Sequence, residues 1–116
     1  MPKYAFLGGY TAEAWKGMID NPGSRRAAVE KAAEAAGGRL DSFYWTFGED
    51  DFLAIAEAPD DMAAAAVSVG VAASGRLRHM RTIRLIPEDE EVSLLGKAGE
   101  VSRSYIAPGA RPAGVS

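Results

Sequence analysis

An α+β domain built on one four-stranded antiparallel sheet is the fold class predicted by this 116-residue sequence. Three observations predict it. Four aromatic and aliphatic segments alternate with the period of a strand; segments with helix caps and helical spacing separate them; and the order along the chain is strand, helix, strand, strand, helix, strand, helix. That order is the split βαβ pattern, βαββαβ, of ferredoxin-like folds, with helices on one face of the sheet, followed here by a C-terminal helix and tail. A chain of this length supports one compact core and is too short for two ordinary domains.

The first strand runs from Tyr4 to Tyr10, with Tyr4, Phe6, Gly8 and Tyr10 on one face and Ala5, Leu7 and Gly9 on the other. Thr11 suits the N-cap of a short helix, with Glu13 in the first turn where a carboxylate complements the dipole. Asn21-Pro22-Gly23 interrupts that helix, and Ser24 caps a second stretch in which Val29, Ala32, Ala33 and Ala36 form one small-residue stripe until Gly37-Gly38 ends it. Arg39 to Phe47 and Phe52 to Ala58 read as the two arms of a hairpin around the tip Gly48-Glu49-Asp50-Asp51, with Phe43, Trp45 and Phe47 on one face and Leu40, Ser42, Tyr44 and Thr46 on the other. Asp60-Asp61 caps a third helical stretch, Met62 to Ala73, apolar and small on all sides, and Ser74-Gly75 closes it. Arg76 to Ile86 resumes as a strand, with Leu77, His79, Arg81, Ile83 and Leu85 on one side. Pro87 and the acids Glu88 to Glu91 favour a terminal helix through about Lys97, giving a domain over residues 1–97 and a tail over residues 98–116 that is mobile or packed on a neighbour.

Composition excludes several kinds of chemistry. With no cysteine there is no disulfide framework, thiolate metal site or cysteine nucleophile, which suits a reducing compartment. The N-terminus has no secretory leader pattern and no apolar run reaches the ~18 residues of a membrane span, so a cytoplasmic protein is expected, with no membrane partner. A net charge of −3 argues against a nucleic-acid partner, which needs a concentrated basic surface. No Gly-rich phosphate loop, serine triad or histidine pair is present, so neither a cofactor nor a metal is expected.

Both faces of the hairpin strands are apolar: Leu53 and Ile55 lie opposite Phe52, Ala54 and Ala56, and Tyr44 lies opposite Phe43 and Trp45. Helices can cover only one face. Leaving several large side chains wet forgoes roughly 1.5–3 kcal/mol each, so a homo-oligomer is expected, a dimer or an assembly of dimers joined through the open face.

The stretches MPKYAFLGGYT, EAWKG, SRRAAVEKAAEAAGG, FYWTFGEDD and RTIRL followed by PEDEE resemble the small bacterial GYD domain proteins over about Met1 to Lys97. The resemblance implies a ferredoxin-like domain of the dimeric α+β barrel type and no established activity. The family's glycine, tyrosine and aspartate fall on Gly48, Asp50 and Asp51. Asp50 stands where tyrosine is usual, so no role of a tyrosine ring carries over.

The carboxylates of the tip read first as a turn, because Gly48 supplies permissive torsions and acids suit such turns. A catalytic reading requires one of Glu49, Asp50 or Asp51 to be buried with a raised pKa. His79, the only histidine, shares a nominal strand face with Arg81; the pair is the candidate for general base and electrostatic stabiliser in a cofactor-free isomerase or monooxygenase-like enzyme. Tyr10, Trp15, Tyr44, Trp45 and Glu57 are the candidates to line a cavity beside the sheet for a small anionic or aromatic ligand, the leading reading. A self-assembly module without ligand is the third. Arg76, Arg78 and Arg84 on one strand side read as a solvated edge paired with acids such as Glu88 to Glu91, and Arg25-Arg26, which oppose the dipole of their helix, read first as surface residues, with attendance on an anion or an acidic neighbour as the alternative.

Overall fold

The computed structural model describes residues 1–111. The chain divides into two compact units, Met1–Leu85 and Ile86–Ser116. In the first, β1 (Lys3–Tyr10) is followed by α1 (Ala12–Asp20), α2 (Arg25–Ala35), β2 (Arg39–Trp45), β3 (Phe52–Glu57), α3 (Asp61–Ala72) and β4 (Leu77–Leu85). The sheet order is β2-β3-β1-β4 and every pairing is antiparallel, so β3 lies between β1 and β2 and splits the first βαβ crossover. This is the α+β class the element order predicts.

Local chemistry explains the helix boundaries. The side chains of Thr11, Ser24 and Asp60 each accept a hydrogen bond from the backbone N–H three residues on, at Ala14, Ala27 and Ala63. Each cap satisfies a donor that the first helical turn leaves free, and losing one costs about 1 kcal/mol.

One face of the sheet carries the core. Tyr4 and Phe6 of β1, Leu40 of β2, Ala54 and Ala56 of β3, and Ala64 of α3 are buried together, with Val29, Phe43, Val67 and Met80 packed against them. Two register shifts correct the alternation expected from sequence. An irregularity between Leu40 and Ser42 puts Leu40 on the same side as Phe43 and Trp45 rather than with Tyr44, because Leu40, Phe43 and Trp45 face Ala56, Ala54 and Phe52 in turn. A second, between Gly9 and Tyr10, pairs Tyr10 with Leu77 and Gly9 with His79, which turns Leu77 away from the face of His79, Arg81 and Ile83. Phe47 does not extend β2; the strand ends at Trp45 and Phe47 is fully exposed.

The opposite face has an apolar middle of Ala5, Leu7, Leu53, Ile55 and Ile83, flanked by Tyr44. Charged groups occupy its two ends. Lys3, Arg39, Asp41 and Glu57 pair among themselves at one, and His79 and Arg81 stand at the other.

In the second unit a 3-10 turn, Glu88–Glu90, leads into α4 (Glu91–Ser104). The helix continues past Lys97 through Gly99, where the sequence suggests a tail. The acids at its start and Arg103 in its last turn both complement the dipole. Val92, Leu95 and Val101 are exposed on it. Among the described residues, no helix is long and apolar enough to cross a membrane.

Candidate binding cavity and the hairpin clasp

Between the covered face of the sheet and α2 and α3 lies a cavity of about 200 Å³. Its origin is side-chain size. Ala28 and Ala32 of α2 meet Ala54 and Ala56 of β3 across it, and four methyl groups fill little of the distance between a helix and a sheet. Phe6, Phe52, Val67 and Met80 supply further apolar wall. Polar groups gather at one end, where Tyr10, Arg25, Ser74 and Arg76 border the space.

Tyr10 is the central group of that end. It is 8% exposed, and its ring is held edge-on by Trp15 at 5.4 Å and tilted against Phe52 at 5.4 Å and Trp45 at 6.1 Å. Its hydroxyl has no hydrogen-bond partner among the described residues. Burial pushes the phenol pKa up, with the Arg25 charge working against it and the Asp51 charge working with it. The phenol is therefore a neutral donor at physiological pH. Arg76 pairs with Glu13 of α1. Arg25 pairs with no acid among the described residues.

The other ligand candidates divide between places. Trp15 and Trp45 contact each other at 5.7 Å and border a shallow surface recess with Met18, Ile19, Pro22 and Arg25 beside the cavity. Tyr44 is on the far face of the sheet, 58% exposed. Glu57 borders the cavity, but its carboxylate accepts from Arg39 Nε at 2.5 Å.

The hairpin tip is an ordered clasp. Gly48 takes φ +124°, a torsion that other residues rarely adopt, and the chain then folds back so that Thr46 N–H donates to the Asp51 carbonyl at 2.8 Å. Asp50 accepts from Arg81 Nη2 at 2.6 Å and bonds His79 Nε2 at 2.8 Å through its other oxygen. The hydrogen bond to His79, then that to Arg81, holds the Asp50 carboxyl below its usual range. Asp51 accepts from Tyr10 N–H at 2.8 Å and from Arg78 Nη1 at 3.2 Å with the same oxygen. Arg78 also donates to the Glu49 carbonyl at 2.7 Å. A Cβ at Gly9 would overlap the Arg78 guanidinium, so this glycine makes room for the arginine to reach the tip.

His79 and Arg81 thus come together, as expected, but around Asp50 in an open polar depression with Glu49 and Arg78, on the face of the sheet opposite the cavity. Arg76 and the arginines of β4 meet acids spread through the first unit: Arg76 Glu13, Arg78 Asp51, Arg81 Asp50 and Arg84 Asp61. These long-range pairs have no local signature, whereas the crowding at Gly8-Gly9-Tyr10 leaves its trace in two adjacent glycines. Among the described residues, no group of three or more acidic or histidine side chains is placed to hold a metal ion.

No match is found among curated proteins. The family model of the GYD domain matches residues 4–95, which takes in the sheet, its covering helices and the clasp. With most of its length matched in this way, the chain belongs to the GYD domain family.

Proposed function

We propose that the protein binds a small, single-ring or similarly compact apolar molecule carrying one anionic group, in the cavity between the sheet and α2 and α3. The observation that carries this reading is the pairing of a roomy alanine-lined interior with Tyr10, a residue only 8% exposed whose hydroxyl has no partner among the described residues and stands near Arg25. An apolar space of roughly 150 Å³ accepts benzene, so about 200 Å³ suits one substituted ring and is small for a two-ring ligand. Left dry, a void of that size would forgo on the order of 5 kcal/mol of packing, so its filling is favoured. The hydroxyl donates to the anionic group and the guanidinium neutralises it.

Titration with benzoate, followed by ligand-observed NMR and thermal shift, tests this. Wild type is expected to bind, Arg25→Gln to bind about tenfold more weakly, as for the loss of one charge-assisted hydrogen bond, and Ala32→Phe, which fills the space, not to bind. Equal binding of benzoate by wild type and Ala32→Phe, or none by wild type at millimolar concentration, would overturn the reading.

A binder is favoured over the cofactor-free enzyme because the candidate catalytic groups lie away from the cavity. His79 and Arg81 both bond Asp50 in an open surface depression on the opposite face of the sheet.

The apolar middle of the open face, half-buried at Leu7, Leu53 and Ile55 and exposed at Ile83, supports self-association of the same domain. Ile83 is 43% exposed and Tyr44 58%, beside Leu7, Leu53 and Ile55. Two copies packed face to face would remove these from water. Sedimentation at micromolar concentration is expected to show a dimer or larger for wild type and a monomer for Ile83→Lys. A monomeric wild type would end this part of the proposal.

A further inference from the structure

The structure assigns Asp51 a positioning role: its carboxylate stands in for the missing strand carbonyl opposite Tyr10 and thereby holds the Tyr10 hydroxyl at the polar end of the cavity. This inference rests on the binding reading above and deepens it by naming the residue that sets the geometry of the site. The β1–β3 ladder ends at Gly8 opposite Phe52, and Tyr10 lies beyond that end. The β1–β4 ladder shifts register between Gly9 and Tyr10. Tyr10 therefore lies past the end of the β1–β3 pairing while still opposite Leu77 in the shifted β1–β4 register, and a buried N–H left without a partner on the β3 side would be costly.

Asp51 repairs the break from both directions. Its own N–H donates to the Gly8 carbonyl at 2.7 Å, which continues the ladder by one bond, and its carboxylate then accepts the Tyr10 N–H at 2.8 Å. The carboxylate is itself held: the side chain is 13% exposed, and Arg78 donates to the same oxygen at 3.2 Å. Arg78 reaches that point because Gly9 has no side chain. Gly8 is equally constrained, since a Cβ there would come within 2.8 Å of the Phe52 ring and 2.9 Å of the His79 carbonyl. Thus Gly8, Gly9, Tyr10, Arg78 and Asp51 form one unit whose product is a fixed Tyr10. Its neighbour Asp50 bonds His79 and Arg81 instead and makes no hydrogen bond to Tyr10 or Arg78.

The test uses the full-length protein labelled with ¹⁵N, plus ¹³C in the tyrosine rings. Asp51→Ala is expected to lose protection of the Tyr10 amide against exchange by at least about tenfold, to move the Tyr10 ring resonances out of the ring-current field of Trp15 and Phe52, and to weaken benzoate binding about tenfold. Tyr4 and Tyr44 resonances stay in place. Asp51→Asn keeps an acceptor oxygen and is expected to retain the Tyr10 protection and ring shifts, with benzoate affinity within about threefold of wild type. Asp50→Asn leaves all three readouts unchanged. If Asp51→Ala unfolds, Asp51→Asn and Arg78→Gln decide: Tyr10 protection that survives in both supports the role of the acceptor, and its loss in Asp51→Asn overturns it. Unchanged Tyr10 exchange and ring shifts in a folded Asp51→Ala also overturn it. Failure of benzoate to bind wild type ends the cavity reading by itself, and the Tyr10 amide and ring still report whether Asp51 fixes that residue.

Discussion

The two faces of the sheet are both apolar and differ in what covers them. The face under α2 and α3 carries the rings of Tyr4, Phe6, Tyr10 and Phe52 with Gly8, Ala54 and Ala56 between them, and a space of about 200 Å³ remains above the small residues. The open face carries Leu7, Leu53, Ile55 and Ile83 in the same strands and their neighbour, and α2 and α3 lie on the other side of the sheet from them. The space above the small residues fits the small molecule proposed for it, and Ile83 and Tyr44, 43% and 58% exposed, fit the proposed contact with a second copy.

The largest effect that could break this comparison comes from trimming each face in turn. Phe6→Ala, at a position 5% exposed on the covered side, is expected to cost about 3–5 kcal/mol in urea unfolding, the usual loss for a buried ring. Ile83→Ala, 43% exposed on the other side, is expected to cost under about 1 kcal/mol at concentrations where copies are apart. Equal losses in dilute protein would mean that the open face is already packed within one chain, and the contrast would fail.

Much of this contrast is legible in the sequence, and the parts that are not share one cause. Strict alternation in β3 places Leu53 and Ile55 opposite Ala54 and Ala56, and hydroxyl or acid caps at Thr11, Ser24 and Asp60 mark the helix starts through contacts only three residues long. Leu40 and Leu77 are misplaced by the same alternation, because an irregularity shifts the face of every residue beyond it and depends on a partner strand far along the chain. The cavity is hidden for a related reason. An alanine stripe on α2 announces close approach of a helix, and only the facing alanines of β3 turn it into space. Asp50 and Asp51 read alike as turn acids, yet one bonds His79 and Arg81 and the other the Tyr10 N–H and Arg78; these partners are well removed in sequence.

The smallest effect sharpens the comparison at the rim of the open face, where Asp50 holds His79 and Arg81. Because the folded-state pKa of Asp50 lies below its ordinary 3.8, its contribution to stability is fully present above that value and is lost as pH falls through the lowered one. Asp50→Asn has no such charge to lose. Wild type is therefore expected to be the more stable at neutral pH, and the gap in urea midpoint should narrow as pH falls below about 4 and close once it has passed below the lowered Asp50 pKa. A gap for Asp50→Asn that does not narrow as the solution is acidified below about pH 4 would show that the clasp does not depend on the Asp50 charge, and the hairpin tip would then owe its order to Asp51 and the Gly48 turn alone.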